Sequence, residues 1–214
     1  MKNSIVFGLL IISLSSCFGQ GYNHQWLLGY GGWANKGRIV FDTSSYTFSV
    51  EQRKMKFDGT QGNICDANGN FLMSSNGVWI ANANNDTMQN GAGLNPGSHV
   101  NSYPDGLYLP NANVIIPFPG DSTKYVLLHH SAESNGIYDV VNQLFYSVID
   151  LSQSNGFGSV ILKNQLIIND TMNWGIAACK REGLVDCNAK RFNGRNFSIT
   201  LYTKWCFQLW NSTP

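Results

Sequence analysis

The chain has 214 residues and a formal net charge of +1, which excludes the strongly basic surface typical of nucleic-acid-binding proteins. Its 43% hydrophobic residues exclude a disordered segment, and its length is sufficient for one sizeable domain. The 25 Asn and 22 Gly make up about a fifth of the chain, and both residues favour turns over helix interiors. We therefore predict a turn-rich, mostly β protein.

Residues 1–19 have the pattern of a signal peptide. Lys2 precedes an apolar run over residues 5–14, which is too short to cross a bilayer as a helix, and small residues follow it. We predict cleavage after Gly19, which releases a chain that begins at Gln20. The alternative is a lipid anchor at Cys17, because residues 14–17 resemble a bacterial lipobox. Both interpretations predict export, to the medium or to the outer cell surface, and no later segment is apolar for 18 consecutive residues.

Residues 20–180 alternate tight-turn dipeptides with short apolar runs. Asn-Gly supplies the positive φ angles of hairpin turns, and it occurs at 68–69, 76–77, 90–91, 135–136 and 155–156. Runs rich in apolar, β-branched and aromatic residues predict strands over 62–65, 70–75, 78–81, 124–130, 143–151, 159–162 and 166–168. No window sustains an apolar period of 3.6 residues for more than about two turns, so no helix is predicted. Antiparallel meanders in a sandwich or a propeller are therefore expected.

Three segments of this region carry a resemblance to a known family. They are GNICDANGNFLMSSNGVWIANANNDTMQNG, LPNANVIIPFPGDSTKYVLLHH and LFYSVIDLSQSNGFGSV. Together they resemble the N-terminal blades of large secreted β-propeller proteins of the Bacteroidetes, which are related to WD-repeat-like propellers. The resemblance covers about residues 22–180.

The resemblance implies an all-β fold of antiparallel four-stranded blades over residues 20–180. At roughly 40 to 50 residues per blade, this length holds about three to four blades, so the propeller is expected to be incomplete. Family members often end in a C-terminal sorting domain for type IX secretion, which implies delivery to the cell surface or the medium. An unclosed ring exposes strand edges and blade faces, so marginal stability or association is expected.

Residues 181–214 differ in charge balance from the rest of the chain. They carry 5 Lys+Arg against 2 Asp+Glu, whereas residues 1–180 carry 9 against 11. The family pattern implies a G-R-D-W-W-I-V strand after Lys180. Codons permitted for residues 181–192, read from the second base of Arg181, can spell G-R-D-W-W-I-V-M-L-K-D-S. We predict a frameshift here, which would leave Cys187 and Cys206 without function; a genuine lineage-specific tail is the alternative.

Two short groups of residues are candidates for metal binding. Asp66, Asn68 and Asn70 resemble the oxygen-rich start of a calcium loop, although no Glu follows at the required distance. An Asx turn accounts equally for these residues. His129 and His130 are adjacent on a predicted strand and point to opposite faces, so they cannot chelate one ion together. One of the two is therefore expected to be a core or interstrand histidine, and no other cofactor is predicted.

The cysteines that follow Cys17 contain no CxxC pair, which argues against a zinc site. Export permits a disulfide between Cys65 and Cys179, but two separate buried thiols fit the sequence as well.

The sequence has no recognised catalytic signature: G-x-S-x-G, G-x-x-x-x-G-K-[ST] and H-E-x-x-H are all missing. Loop aromatics are candidates for a surface that stacks on a sugar or binds a protein, and we expect Trp33, Tyr103 and Tyr108 to face the ligand. Packing inside the blades is the alternative. The expected function is an exported, non-catalytic propeller module that binds a protein or a glycan at the cell surface.

Two other functions remain open at the level of sequence. A propeller-fold carbohydrate-active enzyme would use a pair of carboxylates drawn from Asp42, Asp58, Asp105, Glu133 and Asp139. A truncated gene product would have no function of its own.

Overall fold

The protein is all-β, as the sequence predicts. The computed structural model describes residues 21–29, 35–134, 139–181, 184–191, 196–201 and 207–211, and the predicted signal peptide with Cys17 lies outside them. The described residues form fifteen strands, one α-helix of five residues and two 3₁₀ turns. In the strands beyond residue 178, the description is of the backbone only.

The elements follow one another with short connections. The 3₁₀ turns are Gly21–Asn23 and Ser154–Gly156, and helix α1 is Ser98–Ser102. The strands are β1 Gln25–Leu27, β2 Asn35–Phe41, β3 Tyr46–Gln52, β4 Gly62–Cys65, β5 Phe71–Ser75, β6 Trp79–Ala81, β7 Thr87–Ala92, β8 Asn113–Pro117, β9 Lys124–His130, β10 Glu133–Ser134, β11 Asp139–Asp150, β12 Ser159–Arg181, β13 Leu184–Arg191, β14 Asn196–Leu201 and β15 Phe207–Asn211.

Two antiparallel meanders of four strands form the centre of the fold. Strands β4, β5, β6 and β7 are paired in chain order, and strands β8, β9, β11 and β12 repeat the arrangement, with β10 paired to β11 as a short addition. An apolar cluster joins the two meanders: Met73, Ile80 and Met88 of the first pack with Leu127 and Ile149 of the second. The second meander buries its other face in a further cluster that includes Leu128 and Leu144.

The meanders belong to one continuous sheet. Strand β12 joins β7 through a single parallel pair, Ser159 with Gln89, and it is long enough to pair also with β11 and β13. Four-stranded meanders are therefore present, and the link between β7 and β12 makes them parts of one twelve-stranded sheet.

The turn predictions are confirmed at three of the five Asn-Gly dipeptides. Those at 68–69 and 76–77 connect β4 to β5 and β5 to β6, and that at 155–156 lies in the connection from β11 to β12. The prediction at Asn90-Gly91 is wrong, because both residues lie inside β7, where Asn90 has a φ of 58°. The dipeptide at 135–136 lies outside the described residues.

The predicted strand runs correspond to real strands, but two of them are one element. The runs at 159–162 and 166–168 are both part of β12, which is 23 residues long. Between them lies Asn164, which has a φ of 54°, and the register with β11 shifts there. The break in the apolar pattern between the two runs therefore corresponds to an irregularity inside β12, and the strand continues beyond it.

The C-terminal region continues the same sheet. Strand β13 pairs with the end of β12, and β14 and β15 follow in antiparallel order. The frameshift near Lys180 stays a prediction, because strand pairing of the backbone does not report the reading frame of the gene.

A glycine in the turn between β5 and β6 provides a test of this local structure. Gly77 has a φ of +82°, and a Cβ there would lie 2.7 Å from Cδ1 of the buried Leu107. We expect Gly77→Ala to lower the free energy of unfolding by about 2–4 kcal/mol, since left-handed strain and overpacking add. Gly156→Ala is the matched control, because its φ of +88° is similar and no atom lies within 4 Å. Urea denaturation of both variants should give a distinctly larger loss for Gly77→Ala, and equal losses would contradict the predicted clash.

Candidate functional site

Two of the three aromatics predicted to face a ligand come together on the surface. The rings of Tyr103 and Tyr108 are stacked, with centroids 5.8 Å apart and planes inclined by 19°. The exposed fractions are 36% for Tyr103 and 51% for Tyr108. We call this pair the aromatic platform. The third candidate, Trp33, lies outside the described residues.

The buried side chain of His99 packs against the aromatic platform. His99 lies in helix α1, and its ring stacks on that of Tyr103 with centroids 4.6 Å apart. His99 Nδ1 lies 3.1 Å from Asp139 Oδ1, while the buried Nε2 atom has no hydrogen-bond partner. Glu133 Oε2 accepts hydrogen bonds from the backbone N–H and the hydroxyl of Ser98 at the start of this helix. Residues about 40 positions apart in the chain therefore hold the platform in place.

The loop that carries Tyr108 is fixed on both sides. Lys56 Nζ pairs with Asp105 Oδ2 at 2.6 Å, and Asn76 Nδ2 donates to the Asp105 carbonyl at 2.9 Å. Thr60 donates its backbone N–H to the Leu107 carbonyl at 2.8 Å and its hydroxyl to the Leu109 carbonyl at 2.6 Å. Because hydrogen bonds already fix the backbone around Tyr108, the loop loses little conformational entropy when a ligand binds.

The platform combines exposed aromatic surface, more of it on Tyr108 than on Tyr103, with an ion pair that involves the same loop. An aromatic ring has a negative face, which attracts the weakly positive C–H groups of a ligand. The side chains of Lys56 and Asp105 are 30% and 56% exposed and pair with each other; Asp105 lies on the loop of the two tyrosines, and Lys56 comes from the segment between β3 and β4. This combination suits a ligand that has one C–H face and a rim of hydroxyls.

The loop proposed for calcium is an Asx turn in this structure. Asp66 Oδ1 accepts hydrogen bonds from the backbone N–H groups of Asn68 and Asn70, and Oδ2 accepts from Asn70 Nδ2. Burial raises the pKa of Asp66, but these hydrogen bonds outweigh it and leave the pKa below its ordinary value. The carboxylate is therefore already satisfied by its own loop. Calcium binding stays a prediction, and the described residues contain no group of three His, Cys, Asp or Glu side chains that could hold a metal.

Cys65 lies at the end of β4, and its side chain is buried. Burial raises the pKa of this thiol, so it is poorly suited to nucleophilic chemistry. The side chain of Cys179 lies outside the described part, and the bridge between the two cysteines stays a prediction.

His129 belongs to a buried ring of hydrogen bonds that the sequence does not reveal. Asn95 Nδ2 donates to the Gly77 carbonyl, so Asn95 Oδ1 is left to accept from His129 Nδ1–H at 2.5 Å. His129 Nε2 then accepts from the Ser147 hydroxyl at 3.0 Å. Ser147 Oγ accepts from the backbone N–H of Asn164 at 3.1 Å, and Asn164 Oδ1 accepts from the Asn95 N–H at 3.4 Å. The tautomer follows from these partners.

We call Asn95, His129, Ser147 and Asn164 the polar ring. Ser147, His129 and Asn95 have the contacts of a nucleophile, a base and an orienting group. However, His129 and Ser147 are completely buried and Asn95 is 1% exposed, so no substrate reaches the hydroxyl. The polar ring therefore connects β9, β11, β12 and the segment after β7, and its role is structural.

His130 is also buried but has a different environment. It is completely shielded from solvent, and neither ring nitrogen has a hydrogen-bond partner. Burial lowers its pKa to about 4, and burial together with the nearby His130 lowers the pKa of His129 to about 3. The expectation that one of the two is a core or interstrand histidine is confirmed, and the other is buried as well, because apolar clusters cover both faces of β9.

Four of the five carboxylates considered for glycoside hydrolysis have other contacts. Asp105 pairs with Lys56, Asp139 with His99, Glu133 with Ser98, and Asp42 accepts from the backbone of Thr43. The sequence could not identify the pairing of His99 with Asp139, because the two lie on separate elements and belong to no local motif.

Comparison with models of known protein families, with curated proteins and with solved structures found no match. Within the described ranges, no helix is long and apolar enough to cross a membrane.

Proposed function

We propose that this chain is an exported, non-catalytic binding module of all-β fold that takes a glycan on the aromatic platform. The observation that carries the proposal is the exposed, preordered stack of Tyr103 and Tyr108, with Lys56 and Asp105 beside it. Stacked aromatics with a few polar groups at the edge are suited to a pyranose ring, which has an apolar C–H face and hydroxyls at its rim.

The finer parts of the proposal rest on the sequence. Export rests on the signal-like segment at residues 1–19. An incomplete β-propeller at the cell surface of a Bacteroidetes organism, delivered by type IX secretion, rests on the family resemblance. Two antiparallel four-stranded meanders with an apolar cluster between them are compatible with neighbouring blades.

The carbohydrate-active enzyme is the less supported alternative. Hydrolysis of a glycosidic bond needs two carboxylates that face one substrate. Asp105 is paired with Lys56 and Asp139 with His99, and no contact among the described residues brings these two carboxylates together. A binding role needs no such pair.

Removal of the platform rings is expected to weaken glycan binding. An aromatic contact contributes about 1 kcal/mol beyond its buried area, so Tyr103→Ala and Tyr108→Ala should each weaken binding by about five- to tenfold. Affinity electrophoresis in gels that contain β-glucan, xylan, galactomannan or pectin measures this as lost retardation. The matched control is Phe157→Ala, which removes an aromatic that is 42% exposed on the connection from β11 to β12. Unchanged retardation of the double tyrosine variant, or no retardation of the unaltered chain by any of the four polysaccharides, would contradict glycan binding.

A further inference from the structure

The N-terminal sheet, formed by β1, β2 and β3, has most of its aromatic and apolar side chains on the face that is turned to solvent. Residues directly opposite each other in an antiparallel pair share a face of the sheet. Trp26 pairs with Ile39, which pairs with Phe48. The alternation of side chains along β2 and β3 places Phe41, Tyr46 and Val50 on the same face, with Asn35, Gly37 and Gln52 at its other end. We call the set the apolar face: Trp26, Ile39, Phe41, Tyr46, Phe48 and Val50.

The opposite face of the same sheet is polar; it lies against the protein at β1, at β2 and at Glu51, whereas Thr47 and Ser49 of β3 are exposed. Arg38 forms an ion pair with Glu51 at 2.8 Å and lies over the ring of Phe71, 5.0 Å from its centroid. Leu27 is buried there in a small cluster with Met55 and Ala81. The sheet thus directs its charged side chains inward and its aromatic side chains outward. A sheet with one solvated face normally has the reverse arrangement.

The apolar face is largely exposed. The exposed fractions are 51% for Trp26, 68% for Tyr46, 59% for Phe48 and 61% for Val50. Single exposed apolar residues are common, but a contiguous patch of this kind marks an interaction surface. Trp26 and Phe41 form an edge-to-face pair with centroids 4.9 Å apart, so part of the face is already ordered.

We infer that the apolar face binds the same face of a second copy of this chain, so that two N-terminal sheets pack as a small sandwich. None of its six residues is charged, so two identical faces meet without repulsion and a charged partner would find no complement. Sheets pack face to face at about 10 Å through interdigitated side chains, an arrangement that buries both faces at once.

The exposed area agrees with a dimer that dissociates on dilution. An aromatic side chain presents about 150–250 Å², so the four most exposed residues, each more than half exposed, offer roughly 400 Å² of apolar surface. A standard interface takes about 800 Å² from each partner, of which the fully buried centre is the more apolar part. The apolar face has the size of such a centre, and the neighbouring residues of β2 and β3 would form the rim.

Sedimentation velocity of the purified chain over about 1–100 µM, in the absence of glycan, tests this inference. We expect the weight-average mass to rise from that of one chain toward that of two. Phe48→Thr, alone and combined with Val50→Thr, should weaken the dimer at least tenfold, because threonine keeps the strand preference and removes the apolar contact. Leu166→Thr is the matched control: Leu166 is an exposed apolar residue on β12, 52% exposed, and its replacement should leave the dimer unchanged.

Two outcomes would overturn the inference. One is a single-chain mass at every concentration; if the chain then also co-sediments with neutral phospholipid vesicles and Phe48→Thr abolishes this, the face binds membranes. The other is a dimer that persists in the Phe48→Thr/Val50→Thr variant, which would place the interface elsewhere. Because all these positions are exposed, circular dichroism and thermal unfolding should show that the variants remain folded.

Discussion

Lowering the pH from 7.5 to 5 is expected to reduce the free energy of unfolding by about 4 kcal/mol. The loss arises from His129 and His130, which burial keeps neutral in the folded protein down to a pKa of about 3 and about 4 respectively. In the unfolded chain, a histidine binds a proton below about pH 6.5. Between pH 6.5 and about 4, the unfolded state therefore holds more protons than the folded state, and stability falls as the pH falls.

The slope identifies the groups responsible. Each histidine contributes about 1.4 kcal/mol per pH unit, so the two together give about 2.7 kcal/mol per unit below pH 6.5 and a plateau above it. Carboxylates contribute at lower pH: the hydrogen bond from Lys124 lowers the pKa of Asp121 to about 2, so the stability it provides is lost only below about pH 4. Urea unfolding at intervals of half a pH unit measures the slope. His130→Leu should halve it, and an undiminished slope in that variant would show that other groups dominate.

The sequence predicts β4, β5, β6, β9, β11 and β12 because their signals are local, but it misses the whole N-terminal sheet, β1 to β3, and also β7, β8 and β10. Runs of β-branched and aromatic residues between Asn-Gly turns determine β4, β5, β6 and β9 to within one residue. The all-β class follows from the same signals. The pairing of β12 with β7 does not, because it rests on one contact between residues 70 positions apart. The six-residue apolar face also escaped prediction, since alternation in a strand shows that two faces differ but not which face is covered.

The candidate site was predictable only in part. Tyr103 and Tyr108 are candidates in the sequence because aromatics on loops are suited to stacking on a sugar or binding a protein, and the structure stacks them on each other. Their support by His99 and Asp139 depends on tertiary contact across 40 residues. The polar ring shows the same limit: Asn95 is one of 25 asparagines, and nothing local distinguishes it from the turn formers.

Substitution of the two adjacent histidines by leucine is expected to have opposite effects on stability at pH 7.5. His129→Leu removes the partner of both Asn95 Oδ1 and the Ser147 hydroxyl, which lie in the interior and would be left unpaired. At about 1–3 kcal/mol for each of the two unsatisfied groups, we expect a loss of about 2–6 kcal/mol. His130→Leu instead removes two ring nitrogens that have no partner, and replaces them with apolar atoms of similar volume. Its stability should be unchanged or higher by about 1 kcal/mol.

A double-mutant cycle separates loss of the polar ring from a general packing defect at His129. In the unaltered chain, Ser147→Ala should cost about 1–2 kcal/mol, because it leaves His129 Nε2 and the Asn164 N–H unpaired. In the His129→Leu background the same substitution should cost less, since one of these two partners is already gone and the hydroxyl is itself unsatisfied. Additive losses, measured by urea unfolding at pH 7.5, would mean that the hydroxyl and the imidazole act independently. Equal losses in the free energy of unfolding for His129→Leu and His130→Leu would contradict this prediction. They would mean that only the fit of the leucine side chain determines stability at these positions, and that the polar ring contributes nothing measurable.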